Sequence, residues 1–138
     1  MSAGFALATL LIYVLAYTPM KRRTPFCITI GAVSGAIPPV IGWAAAQPSL
    51  GVGAWVLFGV LFMWQMPHFL AIAWIYRDEY ASASLPMLTV TDPDGNRTRR
   101  QLVLYSTVLI PVSLYPVMIG MAGAFYFAGA FALSLAFL

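Results

Sequence analysis

Seven basic and four acidic residues make up the whole charge of this chain, and all of them fall in two short stretches. The first is Lys21-Arg22-Arg23. The second runs from Arg77 to Arg100 and holds Arg77, Asp78, Glu79, Asp92, Asp94, Arg97, Arg99 and Arg100. The segments around them are long, apolar and uncharged. A soluble domain of 138 residues that is 62% hydrophobic and 8% charged could not hide that much apolar surface. The solvent is therefore lipid. The apolar runs are continuous rather than alternating, which excludes a transmembrane barrel. What remains is an all-α polytopic membrane protein.

The runs predict about five spans in a single transmembrane domain, near 2–18, 25–46, 52–76, 102–120 and 122–138. Positive charge follows the first run instead of preceding it, so that run reads as a membrane helix and not as a cleaved signal. Two spans separate the charged stretches, which places both on one side. The opposite connection, Gln47-Pro48-Ser49-Leu50-Gly51, has no charge. Positive residues collect on the cytoplasmic side. The expected location is a bacterial inner membrane with cytoplasmic charged loops, or the matrix side in a mitochondrial protein. The single cysteine, Cys27, excludes an internal disulfide and a cysteine metal cluster. No nucleic-acid partner is expected.

Thr24-Pro25 reads as a helix start, with Thr24 as N-cap and Pro25 where its missing N–H costs nothing. Gly31 and Gly35 form a small-xxx-small step that permits close helix approach. Pro38-Pro39 should kink or break the second span, and Pro67 removes a backbone bond from the third. These features describe a packing groove with a kink, or a helix shaped to widen a central cavity. Asp92-Pro93-Asp94-Gly95-Asn96 is a turn signal. Thr98 with Gln101 could form a capping box for the fourth span.

Chemistry concentrates in residues 64–88. If the third helix continues, steps of three, four and eleven residues place Gln65, His68, Ile72, Tyr76 and Glu79 near one face. His68, the only histidine, could ligate a metal, donate a proton or satisfy a neighbouring helix. Polar groups at membrane depth are costly and are usually kept for function. Asp78 and Glu79 are either a solvated helix end or ligands for Mg²⁺, which commonly bridges carboxylates to substrate phosphates. Lys21, Arg22 and Arg23 are either a positive-inside anchor or a clamp for diphosphate charge. An acid pair and a basic triplet above apolar helices suit an isoprenyl diphosphate with its head at the interface.

Three blocks now carry a resemblance. They are Tyr17-Thr18-Pro19-Met20-Lys21-Arg22-Arg23-Thr24-Pro25, then Gly35-Ala36-Ile37-Pro38-Pro39-Val40-Ile41-Gly42-Trp43. The third is Trp64-Gln65-Met66-Pro67-His68-Phe69 with Tyr76-Arg77-Asp78-Glu79-Tyr80 and Leu85-Pro86-Met87-Leu88. In order and spacing they resemble the protohaem IX farnesyltransferases (haem O synthases), of the UbiA-type intramembrane prenyltransferases. The resemblance covers residues 17–88; the other spans are compatible with it but unspecific.

The resemblance implies a UbiA-like nine-helix bundle with a central cavity, of which this chain is the C-terminal-half portion. It implies farnesyl transfer from farnesyl diphosphate to a vinyl group of protohaem IX, giving haem O, with Mg²⁺ as cofactor. Haem is then a substrate. Lys21, Arg22, Arg23 and Arg77 would support the diphosphate, with Glu79 and Asp78 on Mg²⁺ and His68 and Gln65 toward haem. A D-x-x-x-D motif is not satisfied from Asp78, because Ser82 stands at its fourth following position; Glu79-Tyr80 fits a reduced acidic-Tyr form. Cys27 stands where asparagine is frequent in the family. The first aspartate-rich motif and about three helices would precede Met1, so no turnover is expected from residues 1–138 alone. Expected partners are membrane lipid and other haem-biosynthesis or oxidase-assembly proteins. Two further readings stand beside this one. One is a UbiA-type enzyme with a quinone or chlorophyll-type acceptor, and the other a transporter or assembly subunit.

Overall fold

The computed structural model describes all 138 residues, Met1–Leu138, and contains helices and turns but no strand. α1 spans Ser2–Met20, α2 Cys27–Ala46 and α3 Val52–Ile75. Two short helices follow, α4 (Arg77–Ser82) and α5 (Leu88–Thr91). Then come α6 (Asn96–Met118) and α7 (Ala124–Phe137). By length and composition, α1, α2, α3 and α6 can cross a membrane. At 14 residues, α7 reaches only about 21 Å, short of a hydrocarbon core of about 30 Å. Four of the five expected spans therefore have membrane length, and the fifth is a shorter apolar helix.

The middle of the bundle is α3, which packs most extensively on α6 and also along α2. α7 lies on α6, and α1 on α2. Small residues sit at the close approaches: Ala32, Ala36, Ala54 and Ala73 are buried, with Val40, Met66 and Leu70 filling between them. Leu7, Leu15, Phe125 and Leu133 lie exposed on the outside. That outer apolar surface is far larger than water tolerates and fits a multi-pass membrane protein.

Prolines shape the helices as their chemistry requires. Pro19 cannot donate, and its ring displaces the carbonyl four residues earlier. The helix widens there into a π turn at Ile12–Tyr17, and the Thr18 hydroxyl donates to the Tyr13 carbonyl at 3.0 Å. Pro38-Pro39 divides α2 at Ile37 into Cys27–Ala36 and Pro38–Ala46. Contrary to the expectation from sequence, Thr24 does not cap α2 and Pro25 is not its first residue. Regular helix begins at Cys27 after Phe26, and the Thr24 hydroxyl accepts from the Phe26 N–H at 3.3 Å in the turn before it.

Three further local expectations need correction. α3 stops near its expected bound, so the condition for placing Glu79 on one face with Gln65 and His68 is not met. The helix ends at Ile75, and Tyr76 turns out of helical geometry before α4. Helix termini leave four carbonyls without partners. One of them, on Ala73, accepts from the buried Thr89 hydroxyl at 2.9 Å, so the incoming segment replaces the next helical turn. The fourth long helix starts at Asn96, about one and a half turns before residue 102. Its first turn is held not by a Thr98–Gln101 box but by Asp92, whose Oδ2 accepts from the Thr98 N–H at 2.8 Å and the Thr98 hydroxyl at 3.0 Å. Gly95, with φ of 70°, makes the entry, and a side chain there would strike the Trp74 ring.

Candidate functional site

The fold brings the two charged stretches to the same end of the bundle. Lys21 and Arg22, in the α1–α2 turn, share one surface depression with Ala83, Ser84 and Leu85 after α4. Arg22 and Arg23 are exposed and Lys21 is half-buried. Their side chains form no ion pair: the only pair in the chain is Arg77 Nε to Asp78 Oδ1 at 3.7 Å. Arg77 also lies over the Trp74 ring, 4.8 Å from its centre. This contact fixes the guanidinium beside the break between α3 and α4.

Asp78 and Glu79 occupy the first turn of α4, where negative charge suits the helix dipole. Asp78 has a side chain 93% exposed, and Glu79 is also exposed. No three His, Cys, Asp or Glu side chains converge closely enough to form a protein cage for a metal. Two exposed, adjacent carboxylates do fit the way Mg²⁺ is commonly held, by one or two acids together with substrate phosphates and water. Arg77 competes for Asp78, which leaves Glu79 as the carboxylate without a cationic neighbour.

Directly inside this charged end is an apolar cavity of about 250 Å³ between α1, α2, α3 and α4. Tyr17, Gly31, Phe69, Tyr80 and Met87 line it. Residues from the first and third blocks thus meet at one place. Tyr17 stacks on Tyr13 with ring centres 5.0 Å apart. Gly31 allows the approach, since a Cβ there would sit 3.0 Å from the Tyr17 ring. Cys27 is buried beneath the end, with Met87 Sδ 3.8 Å from its Sγ.

Gln65 and His68 do not share an environment. Gln65 is 5% exposed and faces α2, where its amide rests on Gly35. Its Nε2 donates to the Leu61 carbonyl at 3.1 Å. His68 is half-buried and stacks on Trp64, with ring centres 4.8 Å apart. Trp64 in turn lines a second cavity of about 770 Å³ between α2, α3, α6 and α7. Its few polar groups include Ser113 and Ser134, whose hydroxyls are 3.0 Å apart, and Tyr126, which donates to the Ser113 carbonyl at 2.9 Å.

Sequence reasoning found the charged groups but missed what holds them. Trp74 supports both Arg77 and Gly95. Asp92 was read only as turn material. Its carboxyl is held below the usual carboxylate range, first by the Thr98 N–H and then by the Thr98 hydroxyl and Arg97. An Asp followed six residues later by Thr across a Pro-Asp-Gly turn is the signal that could have revealed it.

Comparison with known proteins gives the family. The match to the UbiA prenyltransferase family extends over residues 1–138. The chain belongs to that family. It is 54% identical over its whole length to a protein of Solibacter usitatus named protoheme IX farnesyltransferase, covering 47% of that protein. Proteins of the same name from Koribacter versatilis and Myxococcus xanthus are 48% and 45% identical, over 96% and 100% of this chain and 43% and 47% of their own lengths. The chain thus spans about half the length of the curated relatives it matches. No solved structure matches it.

Proposed function

We propose that this chain forms part of a protohaem IX farnesyltransferase, which joins the farnesyl group of farnesyl diphosphate to a vinyl group of protohaem IX to give haem O. One observation carries the reading. A single apolar cavity is lined by Tyr17, Phe69, Tyr80 and Met87, and it lies just inside the basic turn and the acidic helix. A tail entering that cavity leaves its diphosphate among Lys21, Arg22, Arg23 and Arg77. Cations so placed stabilise charge as it develops on the departing diphosphate.

Glu79, with Asp78, would hold Mg²⁺, which when bound supplies further charge stabilisation to the leaving group. The C–O bond to the diphosphate breaks, and the allylic carbon becomes cationic among aromatic walls that keep water away. The vinyl group supplies the electron pair for the new C–C bond. Water then adds to the resulting cation, a proton leaves, and the hydroxyl-bearing product forms.

Trp64, with His68 stacked on it, is our candidate for the haem side; Gln65, buried against Gly35, stands apart from it. The neighbouring cavity of about 770 Å³ is of a size that accommodates sizeable apolar ligands. In this reading the bundle has nine helices in a bacterial inner membrane, the charged loops are cytoplasmic, and other haem-biosynthesis or oxidase-assembly proteins receive the product. The family and the high identity to proteins of one name favour this over a quinone-type acceptor, and over a transporter or assembly subunit.

The test is product formation by a longer protein carrying this segment, supplied with farnesyl diphosphate and protohaem IX. Mass spectrometry should show haem gaining a hydroxyfarnesyl unit. Prenylation of a quinone precursor, with haem untouched, would overturn the reading.

A further inference from the structure

A third cavity lies at the same end of the bundle but on a different face of α3. Its volume is about 490 Å³, and it runs between α2, α3 and α6. On α3 it is lined by Met66 and Leu70, one turn apart, whereas Trp64 and His68 point to the opposite side, since two residues turn a helix by about 200°. It meets the cavity at Tyr17 only at Ile28, and shares no lining residue with the depression at Lys21 and Arg22 or with the cavity at Trp64.

The lining is polarised along the membrane normal. Arg97, Arg100 and Gln101 mark the outer end, where α6 begins. Tyr105 lies about 7.5 Å deeper than Arg100 and lines the cavity with the apolar Leu70 and Met66. Arg97 and Arg100 are exposed and form no ion pair within the chain. The side chains of Arg97, Arg100, Gln101 and Tyr105 take no part in its internal hydrogen bonds either. The nearest carboxylate in sequence, Asp94, forms no ion pair, and Asp92 already accepts twice from Thr98. Two arginines therefore face an interfacial groove with donors to spare, above an apolar floor.

We propose that this groove binds an anionic phospholipid of the bilayer, with its phosphate between Arg97 and Arg100 and the upper part of one acyl chain over Leu70 and Tyr105. Basic pockets between membrane helices recognise lipid head groups through this combination of charge and depth, and guanidinium groups pair with phosphate oxygens at two points. The proposal does not rest on the prenyl-transfer reading. A prenyl diphosphate has a similar head and tail, and the experiment separates the two.

A longer protein that carries this segment is purified in mild detergent and mixed with phosphatidylglycerol or phosphatidylcholine, and retained lipid is measured by native mass spectrometry. Phosphatidylglycerol should be retained as a discrete adduct and phosphatidylcholine should not. Each arginine near an anionic head contributes about fivefold in affinity, so Arg97→Gln with Arg100→Gln should weaken retention about 30-fold. Arg99→Gln removes the same kind of charge from the same run but lies outside the groove, and should leave retention within about twofold. Equal loss in Arg99→Gln would reduce the effect to general surface charge and overturn the proposal. So would an absence of discrete adducts. Displacement of phosphatidylglycerol by micromolar geranyl diphosphate would assign the groove to the prenyl diphosphate and overturn it as well.

Discussion

Gly35→Ala tests how α2 and α3 are locked together. A Cβ at Gly35 would overlap the Gln65 amide oxygen and lie 3.2 Å from its Cδ. Gln65 is buried and its Nε2 donates to the Leu61 carbonyl at 3.1 Å. The amide must swing away, losing a bond worth about 1 kcal/mol, or the helices must separate. Overpacking of this kind costs roughly 1–3 kcal/mol. The measurement is equilibrium unfolding by SDS in mixed micelles, followed by tryptophan fluorescence, for Gly35→Ala, Gln65→Ala and the double variant. Gly35→Ala alone should destabilise by about 1–3 kcal/mol. In the Gln65→Ala background the clash is gone, and the same change should cost under about 0.5 kcal/mol, a coupling well above the additivity limit. An undiminished cost in that background would refute the reasoning, because Gly35 would then be answering to something other than Gln65.

Three more outcomes follow from the geometry. Because the folded carboxyl of Asp92 titrates below its ordinary range, its stabilisation of the α3–α6 connection is complete above that ordinary range and is lost as pH falls through the lower folded value. Limited proteolysis of residues 83–95 should therefore accelerate only in strong acid, whereas Asp92→Asn should be cut faster at neutral pH with little further acid dependence; a wild-type transition near neutrality would contradict this. Cysteines introduced at the exposed Asn96 and Ser49 should react with impermeant maleimide from opposite sides of the membrane, and labelling from one side would remove the shared charged mouth. Thr89→Val keeps the shape but removes the hydroxyl that donates to the Ala73 carbonyl. Leaving that buried acceptor unpaired should cost about 1–3 kcal/mol in the same unfolding assay; no change would mean the carbonyl finds another donor.

Much of the fold was legible because lipid imposes a simple rule. Uncharged runs of membrane length become helices, so α1, α2 and α3 fall within a few residues of their expected bounds. Pro38-Pro39 announced the break in α2, since two rings in succession leave no other backbone path. Why α3 ends at Ile75 was not legible. Residues 76–79 contain no glycine or proline, and arginine and glutamate are good helix formers. The helix stops there because residues sixteen and twenty-one positions later dock on it, through Thr89 to Ala73 and Gly95 to Trp74. Local pattern cannot carry such a contact.

The candidate site divides in the same way. Gln65 and His68 were grouped by helical spacing, but three residues is only an approximate return to one face. Gln65 is drawn inward by the room that Gly35 leaves, and His68 outward onto Trp64. The acid pair and the basic turn were found from charge alone. Their meeting at one end was inferred from counting spans, and the depression shared by Lys21, Arg22 and Leu85 agrees with it.

The central claim is that the charged end and the Trp64–His68 region serve different substrates. It is tested most directly by titrating each substrate separately into Glu79→Gln and His68→Ala forms of a longer protein that carries this segment. Glu79→Gln keeps the side-chain shape and removes a charge, so Mg²⁺-dependent binding of farnesyl diphosphate should weaken and turnover fall on the order of 100-fold, with haem binding unchanged. His68→Ala should weaken haem binding and spare farnesyl diphosphate. If Glu79→Gln leaves Mg²⁺-dependent diphosphate binding and turnover intact, the carboxylate is only a solvated helix end and the assignment of the diphosphate to this end of the chain is wrong.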